Sequence, residues 1–344
     1  MPSHASRPDR RSRRRTVLAI VASILVLIVA GCGAIAVLVA TTLNQFETEK
    51  AAQVLPSYPG RPEKPRPTAA AESAEPVTIL LLGSDTRAKA GPVLTATGSR
   101  TDTILLAHLS GDRTHLDLVS IMRDSWVTIP GYGANKINAA YAYGGAPLLV
   151  KTLEGMLDYP IDHVAVVNFE GFKALTEALG GVEVNNAIAF TSASNDASQQ
   201  RYSFKAGRIT LKGPNALAYV RERYAFRRGD YQRVENQRAF LIGLMETLTS
   251  REVLSSPTRI KRALDAVADH VAFDDGLTIS RLTDIASTVA TIPRENISAF
   301  TMPTLGTGME GRQSVVYLDL DEVAAFGAAL RADSTASYRP PAAR

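Results

Sequence analysis

The chain has 344 residues, 45% of them hydrophobic, enough apolar content for one large core once its ends are set aside. Its formal net charge of +4 is concentrated in residues 1–16, where Arg7, Arg10, Arg11, Arg13, Arg14 and Arg15 face only Asp9, so the remainder is close to neutral and carries no broad basic face for nucleic acid. The single cysteine, Cys32, lies in an apolar run, which excludes an internal disulfide and thiol catalysis outside that run.

Residues 17–43 carry no charge and would reach about 40 Å as a helix, enough to cross a bilayer with tilt. The arginines before this run keep the N-terminus cytoplasmic, so the sequence predicts a single-pass membrane anchor with everything after residue 43 extracytoplasmic. The Val-Ala-Gly-Cys stretch ending at Cys32 looks like a lipoprotein processing site, but the run stays apolar after it, which favours an uncleaved span. Residues 44–76 hold Pro56, Pro59, Pro62, Pro65, Pro67 and Pro76 and read as an extended linker.

The folded part opens with a strand at 77–83, a continuous apolar run ending in glycine. Strands at 103–109 and 115–121 follow as a hairpin, then a helix from Asn138 to Asp158 interrupted at Gly144-Gly145, and a buried strand at 163–169. A helix at 170–181 ends in glycines and leads to a strand at 182–184. Residues 191–203 read as polar loop, and helices are predicted at 213–224 and 233–248. The remainder reads as helices at 258–271, 278–290 and 319–331, with strands at 297–303 and 313–318 and a disordered tail over 333–344. The pattern predicts an α/β (α+β) fold, a single three-layer domain with a central mixed sheet flanked by helices. Residues 77–250 form its main part and 251–332 its C-terminal part.

Charged residues recur at strand ends. Asp85 and Arg87 follow the first strand, Arg100 and Asp102 precede the second, and Arg123 and Asp124 follow the third. Each pair alone also suits a turn, a cap or a rim ion pair. Together, carboxylates suited to Mg²⁺ beside arginine forks suited to phosphate point to a metal-bound polyphosphate ligand. Lys136, Asn138 and Tyr141 sit where a glycine-rich approach reaches a helix start, a place for an anion, a cap or a core ring. Arg221 and Arg223 end one helix, and Arg233 and Gln237 lie four apart on the next. Asp230, among arginines, suits either catalysis or their orientation. Arg227, Arg228 and Arg238 read as solvated or as contacts to membrane phosphates.

These motifs, in this order, resemble the LytR-CpsA-Psr family of cell-wall glycopolymer ligases. The resemblance runs from about Val77 to Leu248 and is carried by LLLGSDTR, SRTDTILL, SIMRDSWVTIPGYGANKINAAYAYGG, PIDHVAVVNFEGFKALTEALGGVEV, GPNALAYVRER and GDYQRVENQ. It implies a phosphotransferase dependent on Mg²⁺, with Mn²⁺ as the alternative, that moves a glycan from a polyprenyl-pyrophosphate carrier to peptidoglycan at the membrane. It further implies that Asp85 and Asp102 hold the metal, and that Arg100, Arg123, Arg221, Arg223, Arg233 and Gln237 grip the pyrophosphate. Arg87, Asp124 and Asp230 are left as supporting or catalytic positions. Met122, where proline is usual, and Asn236, where a further arginine is common, depart from the pattern, and Asn236 is left outside the site. The competing readings are a polyprenyl-pyrophosphate hydrolase with the same residues and a non-catalytic envelope scaffold or regulator. The sixteen or so residues before the apolar run are too few for a DNA-binding module.

Overall fold

The computed structural model describes residues 51–52, 55–64, 74–85, 94, 97–98, 101–193, 200–248, 250–254, 256–267 and 269–341. The predicted tail and span over 1–43, most of the linker, Arg87, Arg100 and residues 194–199 of the polar loop lie outside the described residues. Among the described residues no helix is long and apolar enough to cross a membrane.

In chain order the strands are β1 (Ala51–Ala52), β2 (Val77–Ser84), β3 (Thr101–Leu109), β4 (Leu116–Ile121), β5 (Trp126–Ile129), β6 (Gly133–Lys136), β7 (His163–Asn168), β8 (Val182–Asn186), β9 (Phe190–Thr191), β10 (Ser203–Phe204), β11 (Gly207–Leu211), β12 (Val271–Asp274), β13 (Ile297–Thr301), β14 (Thr304–Glu310) and β15 (Gln313–Leu318). The helices are α1 (Ile137–Leu157), α2 (Phe169–Ala178), α3 (Gly213–Arg221), α4 (Asp230–Leu248), α5 (Arg251–Leu254), α6 (Pro257–Val267), α7 (Ile279–Val289) and α8 (Leu320–Arg331).

Seven strands form a mixed sheet in the order β1-β12-β7-β2-β3-β4-β13. β2 pairs antiparallel with β3 and parallel with β7, so it is central, which explains its unbroken apolar sequence. One face, with Leu80, Leu82, Ile104, Leu106, Val164 and Val166, packs under Leu149, Val150 and Leu153 of α1 and Val323, Phe326 and Leu330 of α8. The other, with Val77, Ile79, Leu105 and Leu118, packs against Leu241 and Met245 of α4 and Leu282, Ile285 and Val289 of α7. Helices therefore cover both faces of a central mixed sheet, as the pattern predicted.

Several elements differ from the sequence reading. The helix expected to run to residue 271 ends at Val267, because Val271–Asp274 pairs antiparallel with β7, opposing Val271 to Val167. Residues 191–203 are not wholly loop, since Thr191 and Ser203 pair across β9–β10, next to Phe190 and Phe204 whose ring centroids lie 4.7 Å apart. Residues 126–136 form a β5–β6 hairpin. The segment assigned to a disordered tail is packed through Tyr338, whose ring lies 5.2 Å from that of Phe326 and whose hydroxyl donates to Glu322 at 2.9 Å.

Part of the proline-rich linker is likewise docked. Arg61 pairs with the buried Glu154 carboxylate of α1 at 2.7 Å, Tyr58 donates to the same carboxylate at 2.7 Å, and Lys64 lies 2.8 Å from Asp162. Glu154 also accepts from the Ile161 amide at 2.9 Å, so its charge is paired and hydrogen-bonded as burial requires.

Candidate active site

Register decides where the charged residues meet. Ile104 of β3 opposes Ile121 of β4, so Asp102 and Arg123 emerge side by side at one end of the sheet. Ser84 of β2 opposes Thr101, which puts Asp85 at the same end, where it is exposed. Between these pairs the ladder slips: Gly83 faces Thr103 and Ser84 faces Thr101, leaving Asp102 as the inserted residue of a β-bulge. A bulge releases one residue from alternation and re-aims its side chain, here a carboxylate that is 14% exposed.

Asp102 is the junction of two elements. Its Oδ1 accepts a hydrogen bond from Nη1 of Arg123, and its Oδ2 lies 3.6 Å from Nε of Arg221. Arg221 is the last residue of α3, where the helix dipole favours a cation, and its guanidinium stacks 4.4 Å from the Phe169 ring that starts α2. Arg223 follows in the next loop, bonded to the Tyr224 hydroxyl at 2.6 Å.

The second junction is Asp230, the first residue of α4, where a negative charge suits the helix start. Its Oδ1 lies 3.3 Å from Arg233 and 3.6 Å from Arg223. Asp124 neighbours Asp230 and in turn lies 3.2 Å from Lys136 and 3.8 Å from Arg123. Burial works to raise the Asp124 pKa, but the charges of Arg123 and Lys136 outweigh it and hold the carboxyl below its usual range. Arg233 is only 4% exposed, and burial lowers its pKa from the ordinary guanidinium value, opposed by Asp230. Gln237, one turn on, spends its amide on the Val220 carbonyl at 3.1 Å and so ties α4 to α3.

Asp102, Arg123, Arg221, Arg223, Arg233 and Gln237 line one cavity of about 400 Å³, closed on its other side by Tyr202 and by Pro214, Leu217 and Ala218 of α3. Of the eleven site positions that the resemblance implies, Asp102, Arg123, Asp124, Asp230, Arg221, Arg223, Arg233 and Gln237 are thus brought together, Asp85 stands at the same sheet end, and Arg87 and Arg100 lie outside the described residues. Two buried donors of the cavity lining, Nε of Arg123 and Nε of Arg233, have no hydrogen-bond partner. Buried donors are almost always paired, so unspent ones converging in a cationic cluster fit a site for an oxyanion. Tyr141, open between an anion-site and a core role in the sequence, is fully buried.

Two contributors were missed. Glu222 is buried and accepts from the Ala193 amide at 2.6 Å and the Ala225 amide at 2.9 Å, so it holds the two loops that flank the cavity. Phe169 was read only as the end of a strand. The acid between Arg221 and Arg223 was the one available signal for the first, and nothing local marked the second.

Among the described residues no three His, Cys, Asp or Glu side chains group as a metal cage. Asp85 and Asp102 are two carboxylates at one sheet end, a donor set that fits Mg²⁺, which is held by one or two carboxylates while substrate oxygens and water complete its shell.

Comparison with known proteins adds the relatives. The chain is 40% identical over 206 residues to a polyisoprenyl-teichoic acid–peptidoglycan teichoic acid transferase, TagU, of Enterococcus faecalis, covering 58% of this chain and 63% of that protein. It is 31% identical over 322 residues to the TagU of Bacillus subtilis, covering 92% and 95%. Its fold matches the crystal structure of TagV from B. subtilis with a TM-score of 0.63 at 25% identity, over 77% of this chain and 99% of that one. The LytR_cpsA_psr family profile matches residues 41–331, and with the ordered motifs and the arginine–aspartate site they build, the chain belongs to the LytR-CpsA-Psr family.

Proposed function

We propose that this protein is a transferase of cell-wall assembly that moves a glycopolymer from a polyprenyl-pyrophosphate carrier to peptidoglycan through a phosphodiester bond. The observation that carries the reading is the cavity in which Arg123, Arg221, Arg223 and Arg233 outnumber the carboxylates they contact and keep two buried Nε donors unspent. A pyrophosphate supplies the charge and the acceptor oxygens that such a cluster requires. The relatives' names, which specify transfer from a polyisoprenyl carrier to peptidoglycan, support the same choice.

In this reading Asp85 and Asp102 hold Mg²⁺, or Mn²⁺ in its place, which would supply charge neutralisation to the phosphate oxygens. Arg123 and Arg221, drawn from Asp102 onto the substrate, bind the pyrophosphate from two sides, and Arg233, locked by Asp230, binds it from α4. The guanidinium groups stabilise the charge that develops as a peptidoglycan hydroxyl attacks the sugar-side phosphorus and polyprenyl phosphate leaves. Asp230, engaged by Arg223 and Arg233, orients the arginines and in this reading takes up the hydroxyl proton when those contacts open. The anchor predicted at 17–43 keeps this chemistry beside the membrane that carries the donor.

The test is transfer of labelled glycan from a synthetic polyprenyl-pyrophosphate donor to peptidoglycan. We expect Arg123→Ala and Asp102→Ala each to lower transfer at least ~100-fold, the usual scale for losing one charge-stabilising donor. Full activity in either variant would sink the assignment, and release of free glycan phosphate with no wall attachment would turn it into a hydrolase.

A further inference from the structure

The hairpin and helix that follow Arg123 and Asp124 carry a surface of the opposite character. Tyr132, at the tip of the β5–β6 hairpin, and Tyr143, in the first part of α1, are 55% and 42% exposed, yet their rings stack on each other at 4.7 Å with an interplanar angle of 18°. Residues 126–135 carry no charge, and neither do residues 137–150 that follow Lys136. An exposed aromatic stack in an uncharged segment, each ring keeping its outer face free, has a cost in water, and such surfaces commonly mark binding sites.

The pair is held in place. Ile129, Pro130, Gly131 and Tyr132 form a turn closed by the Tyr132 amide on the Ile129 carbonyl at 3.0 Å, with proline second and Gly131 third at φ 81°. That is the signature of a type II turn, which proline stiffens. The Asn135 amide donates to the Tyr143 hydroxyl at 3.0 Å and fixes the other ring. After Tyr143 the helix breaks at Gly144 and Gly145, the latter at φ 64° and ψ −159°, so the ring sits on a separate short segment.

Two connections tie this face to the site. β6 runs from Gly133 to Lys136, whose ammonium pairs with Asp124 at 3.2 Å, so Tyr132 stands about 13 Å of strand away. The segment that joins Asp85 to Asp102 is pinned to α1 at the kink, where the Gly98 amide meets the Ala142 carbonyl at 2.9 Å and the Ala146 amide meets the Leu94 carbonyl at 3.0 Å.

We infer that Tyr132 and Tyr143 form the platform for the acceptor glycan, stacking on the C–H faces of N-acetylhexosamine units while Asn135 and the phenol groups border it with polar atoms. This rests on the transferase reading and names how its second substrate is held. The cationic cavity suits the anionic donor, whereas the outer face of a neutral aromatic stack edged by phenol and amide groups suits a polyhydroxylated ring that is apolar on its faces and wet at its edges. A prenyl chain would instead need an enclosed apolar cavity. Because the stack is formed before binding, little side-chain freedom is lost on association.

Calorimetric titration of the full chain in detergent with a soluble, uncross-linked N-acetylhexosamine oligosaccharide tests the platform without the transfer reaction. The wild type is expected to bind, and the Tyr132→Ala, Tyr143→Ala double variant to bind at least tenfold more weakly. Asn135→Ala is a second, milder variant, expected to weaken binding severalfold. Near-ultraviolet circular dichroism checks that the variants fold. In the transfer assay the acceptor KM of the double variant should rise about tenfold, more than any change in donor KM. Equal oligosaccharide affinity in wild type and double variant, or no binding by the wild type, overturns the platform whatever the transfer assay gives. Binding that is lost in the double variant, from a protein that transfers nothing to peptidoglycan, leaves the platform standing and overturns the transferase reading.

Discussion

Asp102 and Asp230 have the same chemistry and opposite settings. Asp102 stands at a bulge between two arginines from different elements, and Asp230 at a helix start with Asp124 behind it. The lowered Asp124 titration gives a prediction with a definite sign. A carboxyl whose folded pKa lies below its unfolded value of about 3.9 stabilises the protein above that value and loses the contribution as pH falls through the folded pKa. Lys136→Met removes one of the two cations responsible, so the Asp124 titration followed by carbon NMR should move up toward the ordinary carboxylate range. An unmoved titration would mean that Arg123 and the neighbouring Asp230 set it. The sequence offered Asp124 and Lys136 only as separate fragments, since eleven intervening residues had to fold back as the β5–β6 hairpin to join them. The arginines were easier to read, because each stood in a motif with its own spacing. The contribution of Phe169 could not be read, since a cation–aromatic contact between residues 52 positions apart leaves no local trace.

At the scale of elements, the site depends on how closely α4 approaches β8. A Cβ built on Gly243 would lie 2.1 Å from the Glu183 carbonyl, so backbone meets backbone there and no side chain can yield. We expect Gly243→Ala to cost about 1–3 kcal/mol through displacement of the helix, in line with other overpacked contacts, and to raise donor KM because Arg233 and Gln237 travel with it. Chemical denaturation and transfer kinetics on the same preparation measure both effects, and an unchanged denaturation midpoint would show that the helix moves freely. The long periodic or continuous apolar segments, α1 and β2 among them, were legible because burial imposes their pattern. β9, β10 and β12 were not, since strands of two to four residues carry too few alternations to separate from loop or helix end, and only their partners define them.

At the scale of the molecule, the sheet has a charged end and a histidine-bearing end. His108 is fully buried in β3, with Nδ1 2.8 Å from the Thr78 hydroxyl and its ring edge-on to Tyr159. Burial, with smaller contributions from the charges of Lys64, His115 and Arg113, lowers its pKa to about 3. The unfolded chain then binds a proton that the native state refuses between about pH 6.5 and 3, so stability falls as pH drops through that window, by at most ~1.4 kcal/mol per unit from this residue. His108→Gln should flatten the fall when urea unfolding is measured from pH 7.5 to 4, and an unchanged slope would assign the acid sensitivity elsewhere. The general architecture was predictable from strand and helix order, but the docking of residues 55–64 was not, because a proline-rich stretch looks alike whether it is free or laid along a surface. Its anchor, Glu154, lies inside a helix that gave no sign of facing a distant arginine.

The strand order also sets a timetable. The interior neighbours β2, β3, β4 and β7 all come from residues 77–168, whereas β1 at the outer edge can pair only with Phe273 and Asp274, and β13 at the other edge is made later still. As the chain emerges N-terminus first, its earliest strand must wait for one of its latest, while Arg61 finds Glu154 much sooner. The middle of the sheet can therefore close while both borders are still open, and the two outermost strands are the last to be sealed.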